Sequence, residues 1–183
     1  MLVSDTPLIL DACCIINLHV SGRIADILSA LPVPIIMSET VKSFELLSLQ
    51  KLDALSASHS GKFQTAIDRG LITVTDFETE EERANFVNYA AVLGDDGEAA
   101  TFAIAAARGY AVATDDRKAL NFAAQELPHL PLINTPHLVK QWVDNNSTQR
   151  EAHREVLQNI RQLGRYLPPK AHPLYEWWML ILE

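Results

Sequence analysis

The sequence has only two cysteines, and they are neighbours, Cys13 and Cys14. Adjacent cysteines cannot build a disulfide framework, and they lack the spacing of a zinc-binding motif. We therefore expect both to be reduced, small and buried. The chain also lacks a run of about 20 apolar residues, which a membrane helix needs, and its first residues lack the basic start and apolar core of a signal peptide. These absences predict a soluble, cytoplasmic protein.

Basic residues are also scarce, since 15 Lys and Arg stand against 23 Asp and Glu and give a formal net charge of −8. Binding to the phosphate backbone depends on clustered Lys and Arg, so this balance argues against broad, nonspecific adhesion to nucleic acid. It still allows a local basic surface beside an acidic site.

The chain of 183 residues is 48% hydrophobic, which is enough for one domain with a single large core. Short apolar runs alternate with longer helical stretches, and this alternation favours a parallel sheet covered by helices on both faces. We predict an α/β fold, a three-layer α/β/α sandwich with a central, mainly parallel sheet of about five strands. The predicted strands are 7–11, 33–37, 71–74, 111–114 and 130–133.

Helix starts carry recognisable capping signals. Ser38 precedes the second helix, Thr79 opens a capping-box pattern, Thr135 is a predicted N-cap with proline at N1, and Thr148 repeats the capping pattern. The acidic residues of 76–82 then lie in a first helical turn, where the macrodipole favours anions, so we interpret them as structural rather than as a metal site.

The composition changes near residue 146. We expect a domain over 1–146 and a C-terminal helix with an apolar tail over 147–183, which packs on the domain or on a partner. On the predicted C-terminal helix, the spacing places four arginines on one face and three apolar residues on a separate face. The arginines are Arg150, Arg154, Arg161 and Arg165, and the apolar residues are Val156, Ile160 and Leu163.

Two aspartates follow predicted strands directly. Asp11 ends the apolar run of the first strand, and Asp116 follows the fourth. The carboxyl edge of a parallel sheet is the usual place for chemistry in open α/β folds. Several buried anions at one edge require cations or many hydrogen-bond donors, and a metal site is the simplest answer.

Three segments resemble PIN domains. Residues 8–18, LILDACCIINL, resemble the family's opening, in which a strand ends in an aspartate and an apolar helix follows. Residues 94–116, GDDGEAATFAIAAARGYAVATDD, resemble the segment that runs from an acidic residue through an alanine-rich helix and a glycine turn to a strand and an aspartate. Residues 38–47, SETVKSFELL, resemble the second motif and contain Glu45. The resemblance extends over about residues 6–143.

The resemblance implies a metal-dependent endoribonuclease that cuts single-stranded RNA with a metal-activated water and leaves 5′-phosphate and 3′-hydroxyl ends. Asp11, Glu98 and Asp116 would be the core ligands, with Glu45 as a further ligand or a water-positioning residue. Carboxylates without cysteine or histidine ligands suit Mg²⁺ or Mn²⁺. The accessory candidates are Asp95, Asp96, Thr114 and Asp115, and the candidate RNA contacts are Lys42, Arg117 and Lys118.

The chain departs from the family pattern at two places. The third acidic position is Glu98, where many PIN domains carry aspartate. Ala12 and Cys13 replace hydroxyl residues that often follow the first aspartate, which removes an expected side-chain hydrogen bond near the metal. Of the pair Asp115 and Asp116, we expect one to cap the following helix while Asp116 faces the metal.

The resemblance also implies a toxin held by an antitoxin protein, and it is compatible with a homodimer. The alternative is a catalytically weak PIN-like module that binds nucleic acid or protein. A phosphatase of the haloacid dehalogenase type would need a second aspartate two residues after Asp11, where Cys13 stands. A dinucleotide-binding fold would need a glycine-rich first turn, which is absent after Asp11.

Overall fold

The computed structural model describes residues 6–43, 61–146 and 150–183. Its centre is a five-stranded sheet in the order β3-β2-β1-β4-β5, in which every neighbouring pair is parallel. The strands are β1 (Leu8–Leu10), β2 (Ile35–Ser38), β3 (Thr73–Thr75), β4 (Ala111–Ala113) and β5 (Leu132–Ile133).

All five predicted strands exist, and most are shorter than their apolar runs. The first and fourth end before Asp11 and Thr114, whose side chains hydrogen-bond to each other and to neighbouring groups past the strand ends. Apolar patterning marks which residues are buried, whereas a strand ends where its ladder of backbone bonds ends.

Helices cover both faces of this sheet. They are α1 (Ala12–Val20), α2 (Ile24–Ser29), α3 (Lys62–Asp68), α4 (Glu80–Leu93), α5 (Asp96–Arg108), α6 (Arg117–Glu126), α7 (Thr135–Asn145), α8 (Arg150–Gln162) and α9 (Tyr175–Leu182), and residues 39–43 are also helical. Among the residues that the structure describes, no helix is both long and apolar enough to cross a membrane.

Two hydrophobic cores lie on opposite faces of the sheet, as the alternation of side chains along a strand requires. Leu8 and Leu10 of β1 belong to one core, and Ile9 between them belongs to the other. The first core is formed mainly by α1, α2, α7, α8 and α9, and the second by α5 and α6 with the end of α4. The predicted three-layer α/β/α fold is therefore confirmed, and the described sheet is entirely parallel.

The alanines of α5 allow that helix to lie close to the centre of the sheet. Ala99, Ala100 and Ala103 are fully buried, and the helix contacts β1, β2 and β4. Small side chains shorten the distance between helix and sheet, so the first turn of α5 reaches the carboxyl ends of the central strands.

The capping predictions hold in two of four places. The Ser38 hydroxyl accepts from the Val41 amide at 3.1 Å, and Thr79 forms the predicted capping box. The prediction for Thr135 is wrong by one residue, because Asn134 is the N-cap of α7 and Pro136 lies at its second position. The amide and the hydroxyl of Thr135 instead donate hydrogen bonds to Asp115. Thr148 lies outside the described residues.

The C-terminal helices pack against the first core. Val156, Leu157 and Ile160 of α8 and Trp178 of α9 are buried in the same cluster as β1. The predicted apolar side of α8 is wrong for Leu163, which lies beyond the helix and is 38% exposed. Arg165 also lies beyond α8, while Arg150, Arg154 and Arg161 are exposed on it.

Candidate active site

The sheet order places β1 beside β4, so the residues that follow these two strands meet at one edge. Leu10 pairs with Ala113, and the Asp11 amide donates to the Ala113 carbonyl at 3.0 Å. Asp11 and Asp116 then serve as the N-caps of α1 and α6. Local capping and the central strand pairing together bring these two aspartates to the same edge.

Asp11 is almost fully buried, with 2% of its surface exposed. One carboxylate oxygen, Oδ1, accepts from the Ala12 amide at 2.8 Å. The other, Oδ2, accepts from the Thr114 hydroxyl at 2.8 Å and from the Cys13 thiol at 3.3 Å. Burial raises the pKa of Asp11, and these hydrogen bonds oppose that rise. The sequence analysis expected a side-chain hydrogen bond to be lost here because Ala12 and Cys13 replace hydroxyl residues. The Cys13 thiol supplies such a bond to Asp11 instead.

Thr114 connects the two capping aspartates. Its buried hydroxyl donates to Asp11 Oδ2 and accepts from the Asp116 amide at 3.1 Å. This single side chain fixes one oxygen of Asp11 relative to the backbone of Asp116. Thr114 therefore has the holding contacts that were expected of an accessory residue.

Asp116 caps α6 with one oxygen. Its Oδ1 accepts from the Lys118 amide at 2.7 Å and from the Ala119 amide at 2.9 Å. The expectation that the other aspartate of the pair would cap this helix is wrong, because Asp115 contacts α1 and α7 instead.

Glu98 occupies the third position of α5, three residues after the N-cap Asp95, whose Oδ1 accepts from the Glu98 amide at 2.9 Å. The pKa of Glu98 is raised to about 7, first by burial and then by the negative charges of Asp11, Asp116 and Asp95, against a lowering by Lys118. The first turn of α5 thus lies within electrostatic reach of both strand-end aspartates. We call Asp11, Asp95, Glu98 and Asp116 the acidic edge.

A glycine permits the close approach of α5 to the helical residues that follow β2. A Cβ added to Gly97 would lie 3.3 Å from Val41 Cγ2 and 3.3 Å from Asp95 Oδ1. The predicted site residue Glu45 lies outside the described residues. Asp96 is exposed in the first turn of α5.

One expected grouping is not found among the described residues. Asp11, Glu98 and Asp116 are not a set whose ligand atoms all lie within 4.8 Å of one another, whereas Cys13, Cys14 and Asp115 are such a set. This second group fits a hydrogen-bonded network better than a metal. Burial raises the pKa of Cys14 well above its ordinary value, which keeps the thiol protonated, and a thiol must lose its proton to bind a metal.

Asp115 is held by residues from distant parts of the chain. Its oxygens accept from the Asn17 side-chain amide at 2.9 Å, from the Thr135 amide at 3.0 Å, and from the Thr135 hydroxyl. The Cys14 thiol adds a contact at 3.5 Å. Sequence reasoning missed this network, although a polar Asn17 inside an apolar helix was a signal for it.

The candidate RNA contacts differ in their surroundings. Lys42 pairs with Glu39 at 3.2 Å, and the Lys118 ammonium donates to the Leu93 carbonyl at the end of α4. Arg117 is exposed at the start of α6. Of these three side chains, Arg117 is the one for which no hydrogen-bond or salt-bridge partner is found among the described residues.

The donor chemistry of the acidic edge suits a hard divalent cation, although Asp11, Glu98 and Asp116 are not a set whose ligand atoms all lie within 4.8 Å of one another. Its donors are all carboxylate oxygens, which Mg²⁺ and Mn²⁺ prefer. Within residues 6–43, 61–146 and 150–183, the salt bridges of 4 Å or less include none to Asp11, Glu98 or Asp116. Burial, followed by this uncompensated charge, raises the pKa of Glu98.

Comparison with known proteins supports the fold. The family model DUF3368, described as a PIN domain, matches residues 7–174. The match therefore reaches beyond the segment that resembled the family in sequence and includes α8. Comparison with curated proteins and with solved structures gave no match. The chain belongs to the PIN domain family.

Proposed function

We propose that this protein is a metal-dependent endoribonuclease that cuts single-stranded RNA and leaves 5′-phosphate and 3′-hydroxyl ends. PIN domains are generally metal-dependent nucleases, and this chain is a member of the family. The observation that carries the proposal is Glu98, whose pKa is raised to about 7 by burial and by three neighbouring carboxylates. Such a charge concentration is costly unless a cation binds there.

In this proposal Asp11, Glu98 and Asp116 hold the cation, and Glu45 is a further ligand or positions the attacking water. A bound Mg²⁺ or Mn²⁺ would supply an activated water and offset the charge on the phosphoryl oxygens and the leaving group. Asp95 and Asp96 lie in the same first turn of α5 and have accessory roles.

The protein's own groups divide this work. Thr114 and the Ala12 amide fix the two oxygens of Asp11, and the capped first turn of α6 fixes Oδ1 of Asp116. Without a bound cation Glu98, whose pKa is about 7, can hold a proton near neutral pH, and binding of a cation at its carboxylate would release that proton.

RNA would approach the acidic edge from the side of α6. Arg117 is the strongest candidate for a phosphate contact, because Lys42 and Lys118 already have partners. With a net charge of −8, the protein would bind the backbone locally rather than over a broad surface.

The experiment is cleavage of end-labelled single-stranded RNA by the purified protein with Mn²⁺, with Mg²⁺ or with EDTA. We expect cleavage with either metal, none with EDTA, and 5′-phosphate ends on the products. Asp11→Asn and Asp116→Asn should each abolish cleavage while leaving the thermal transition nearly unchanged or raised, because a repelling charge is removed.

The matched control is Asp68→Asn, the same chemical change at an exposed residue of α3, which should leave cleavage unchanged. Undiminished cleavage by Asp11→Asn would contradict the assignment of the site. RNA binding without cleavage by the wild-type protein would favour the catalytically weak binding module instead.

A toxin role is the finer part of the proposal. It predicts that expression of the wild-type protein arrests growth, that Asp116→Asn does not, and that an antitoxin protein binds the chain and prevents the arrest. Measurement of the molecular mass in solution would establish whether the chain forms a homodimer.

A further inference from the structure

The neighbouring aspartates at the end of β4 have different surroundings. Asp116 uses Oδ1 to cap its own helix. Asp115 accepts hydrogen bonds from Asn17 of α1 and Thr135 of α7. These two helices belong to the opposite layer from α6, as the two cores show. Asp115 therefore joins the end of β4 to the helix layer opposite α6.

The C-terminal part of the chain reaches the same carboxylate. The side chain of Tyr166, in the turn after α8, lies beside Asp115, and burial together with the charge of Asp115 raises the pKa of Tyr166. The ring of Tyr166 packs edge-on against Trp178, with centroids 6.1 Å apart. Tyr166 thus connects α9 and the turn after α8 to the end of β4.

The position of a glycine shows how closely this turn approaches the network. A Cβ added to Gly164 would lie 2.6 Å from Asn17 Oδ1 and 2.8 Å from the Ile160 carbonyl oxygen, distances that real Cβ atoms do not adopt. The next residue, Arg165, has the positive φ of 53° at which glycine is usual in a helix C-terminal turn. Glycine therefore stands where there is no room for a side chain, while arginine adopts the less favourable backbone conformation.

Asp115 has little capacity left for a cation. Oδ1 accepts from the Thr135 amide, and Oδ2 accepts from Asn17, from the Thr135 hydroxyl and from the Cys14 thiol. An ionised carboxylate has about four lone-pair sites, and these four donors equal that number. The contacts of Asp115 are those of a residue that positions its neighbours.

We propose that Asp115 is a positioning residue, and that the turn at residues 164–166 holds it so that Thr114 and Asp116 keep their places at the acidic edge. This inference rests on the proposed function. Thr114 and Asp116 flank Asp115 in sequence, and Thr114 bonds to both Asp11 and the Asp116 amide. Because the Asp115 side chain is fixed, the backbone at residues 114–116 is restricted, and this backbone orients Thr114 and Asp116.

The first test is Tyr166→Phe, which removes one hydroxyl and leaves the ring that packs on Trp178. We expect weaker Mn²⁺ binding, measured by electron paramagnetic resonance of free Mn²⁺ during titration. Removing an outer partner of a metal site typically lowers metal affinity about 10- to 100-fold, and we expect the lower end for the loss of this one hydroxyl beside Asp115. Tyr175→Phe, on α9 and without a contact to Asp115 among those described, should leave Mn²⁺ binding unchanged.

The second test is an exchange of side chains. Asp115→Asn alone places an amide group against the Asn17 amide and the Thr135 donors, and should lower Mn²⁺ affinity by about 10- to 100-fold. Adding Asn17→Asp restores a hydrogen bond between positions 17 and 115 with its direction reversed. Recovery of Mn²⁺ affinity in the double variant supports a positioning role for Asp115. If Asp115 were a metal ligand, a carboxylate at position 17 would not replace it.

The turn itself offers a matched pair. Gly164→Ala should lower Mn²⁺ affinity, because its Cβ displaces Asn17 or the end of α8. Arg165→Gly should leave the affinity unchanged, because it only relieves the positive φ.

The outcomes separate the two proposals. If the wild-type protein neither binds Mn²⁺ nor cuts RNA, the proposed function is overturned and this inference with it. If the wild-type protein binds Mn²⁺ and Tyr166→Phe and Asp115→Asn bind it equally well, the inference is overturned and the proposed function stands. Loss of binding in Asp115→Asn with no recovery in the exchange variant would identify Asp115 as a ligand and also overturn the inference.

Discussion

Glu82 and Glu98 occupy the same position in consecutive helices and have opposite electrostatic environments. Each is the third residue of its helix, α4 for Glu82 and α5 for Glu98, and each follows an N-cap whose side chain accepts from its backbone amide. The pKa of Glu82 is lowered to about 2, whereas that of Glu98 is raised to about 7. The local motif is shared, so the difference comes from partners elsewhere in the fold.

Glu82 is paired with a cation. Its strongest influence is the Arg108 guanidinium, whose Nε lies 2.5 Å from Glu82 Oε1, and the amides of Glu78 and Thr79 also donate to the carboxylate. Arg108 further donates to the Thr75 hydroxyl at 2.8 Å. The acidic residues of 76–82 are therefore structural, as the sequence analysis predicted, and their main partner is an arginine that it did not identify.

Glu98 has neighbouring anions and no arginine beside it among the described salt bridges. Burial is the largest cause of its raised pKa, followed by Asp11 and Asp116. A glutamate in a capping position thus stabilises the fold in one helix and concentrates charge in the next. The first arrangement is typical of structure and the second of a site that binds a cation.

The largest expected effect on stability comes from removing Arg108, the positively charged partner that Glu82 has and Glu98 lacks. Arg108→Met leaves Glu82 buried without its partner, and losing one partner of a buried pair costs roughly 3–5 kcal/mol. Urea unfolding at pH 7 should show this loss. Arg83→Met removes an exposed pair with Glu80 and should change stability by less than about 0.5 kcal/mol. Equal losses in both variants would contradict the central role of Arg108.

The next prediction uses pH to separate the glutamates. The pKa of Glu98 is raised from 4.5 to about 7, so its contribution to stability is full below pH 4.5 and is lost as pH rises through about 7. The pKa of Glu82 is lowered from 4.5 to about 2, so its contribution is present above pH 4.5 and is lost as pH falls toward 2.

Thermal unfolding in EDTA between pH 4.5 and pH 8.5 measures the Glu98 contribution, with pH limits chosen from its two pKa values. We expect the thermal stability of Glu98→Gln to decline less than that of the wild type as the pH rises. At the highest pH the variant should be more stable than the wild type. Addition of Mn²⁺ should stabilise the wild type more than the variant. A decline of the same slope in both proteins would show that Glu98 does not titrate in this range.

A smaller effect is expected from the cap that orients Glu82. Thr79→Ala removes one half of the capping box and should cost about 1 kcal/mol. Asn88→Ala, on the exposed side of the same helix, should not lower stability, because alanine has the higher helix propensity. The urea unfolding midpoints of the two variants test this prediction. An unchanged midpoint for Thr79→Ala would show that the Thr79 cap does not contribute to stability.

The smallest effect on stability is expected at the cap before Glu98. Asp95→Asn keeps an N-cap of similar strength, so stability at pH 7 should change by no more than about 0.5 kcal/mol. The substitution also removes a negative charge that raises the pKa of Glu98. Carbon-13 NMR titration of the Glu98 carboxyl should therefore show a lower pKa in the variant, and an unchanged pKa would contradict the proximity of these two side chains.

Local sequence was sufficient for the elements and for much of the acidic edge. The apolar runs located all five strands, because buried parallel strands are apolar along their whole length. Asp11 and Asp116 were located by the strand ends they follow. The capping box at Thr79 was found because its donor and acceptor lie three residues apart.

Sequence reasoning failed where a side chain had two possible partners at different distances along the chain. Thr135 fits a helix cap locally, yet its hydroxyl bonds to Asp115, twenty residues away. Asp115 and Asp116 are equivalent as local caps, and the choice between them depends on the contacts of Asp115 with α1 and α7. The role of Glu45 is still a prediction.

The sequence by itself determined the parallel sheet, the order of the acidic residues along it and the residues that begin its helices, because these depend on hydrophobic periodicity and on hydrogen bonds within a few residues. Only the tertiary structure decided that Glu82 faces an arginine while Glu98 faces carboxylates, and that Asp115 accepts hydrogen bonds from α1 and from Thr135 at the start of α7. Charge interactions and hydrogen bonds depend on distance in space, and that distance is set by the packing of helices that are far apart along the chain.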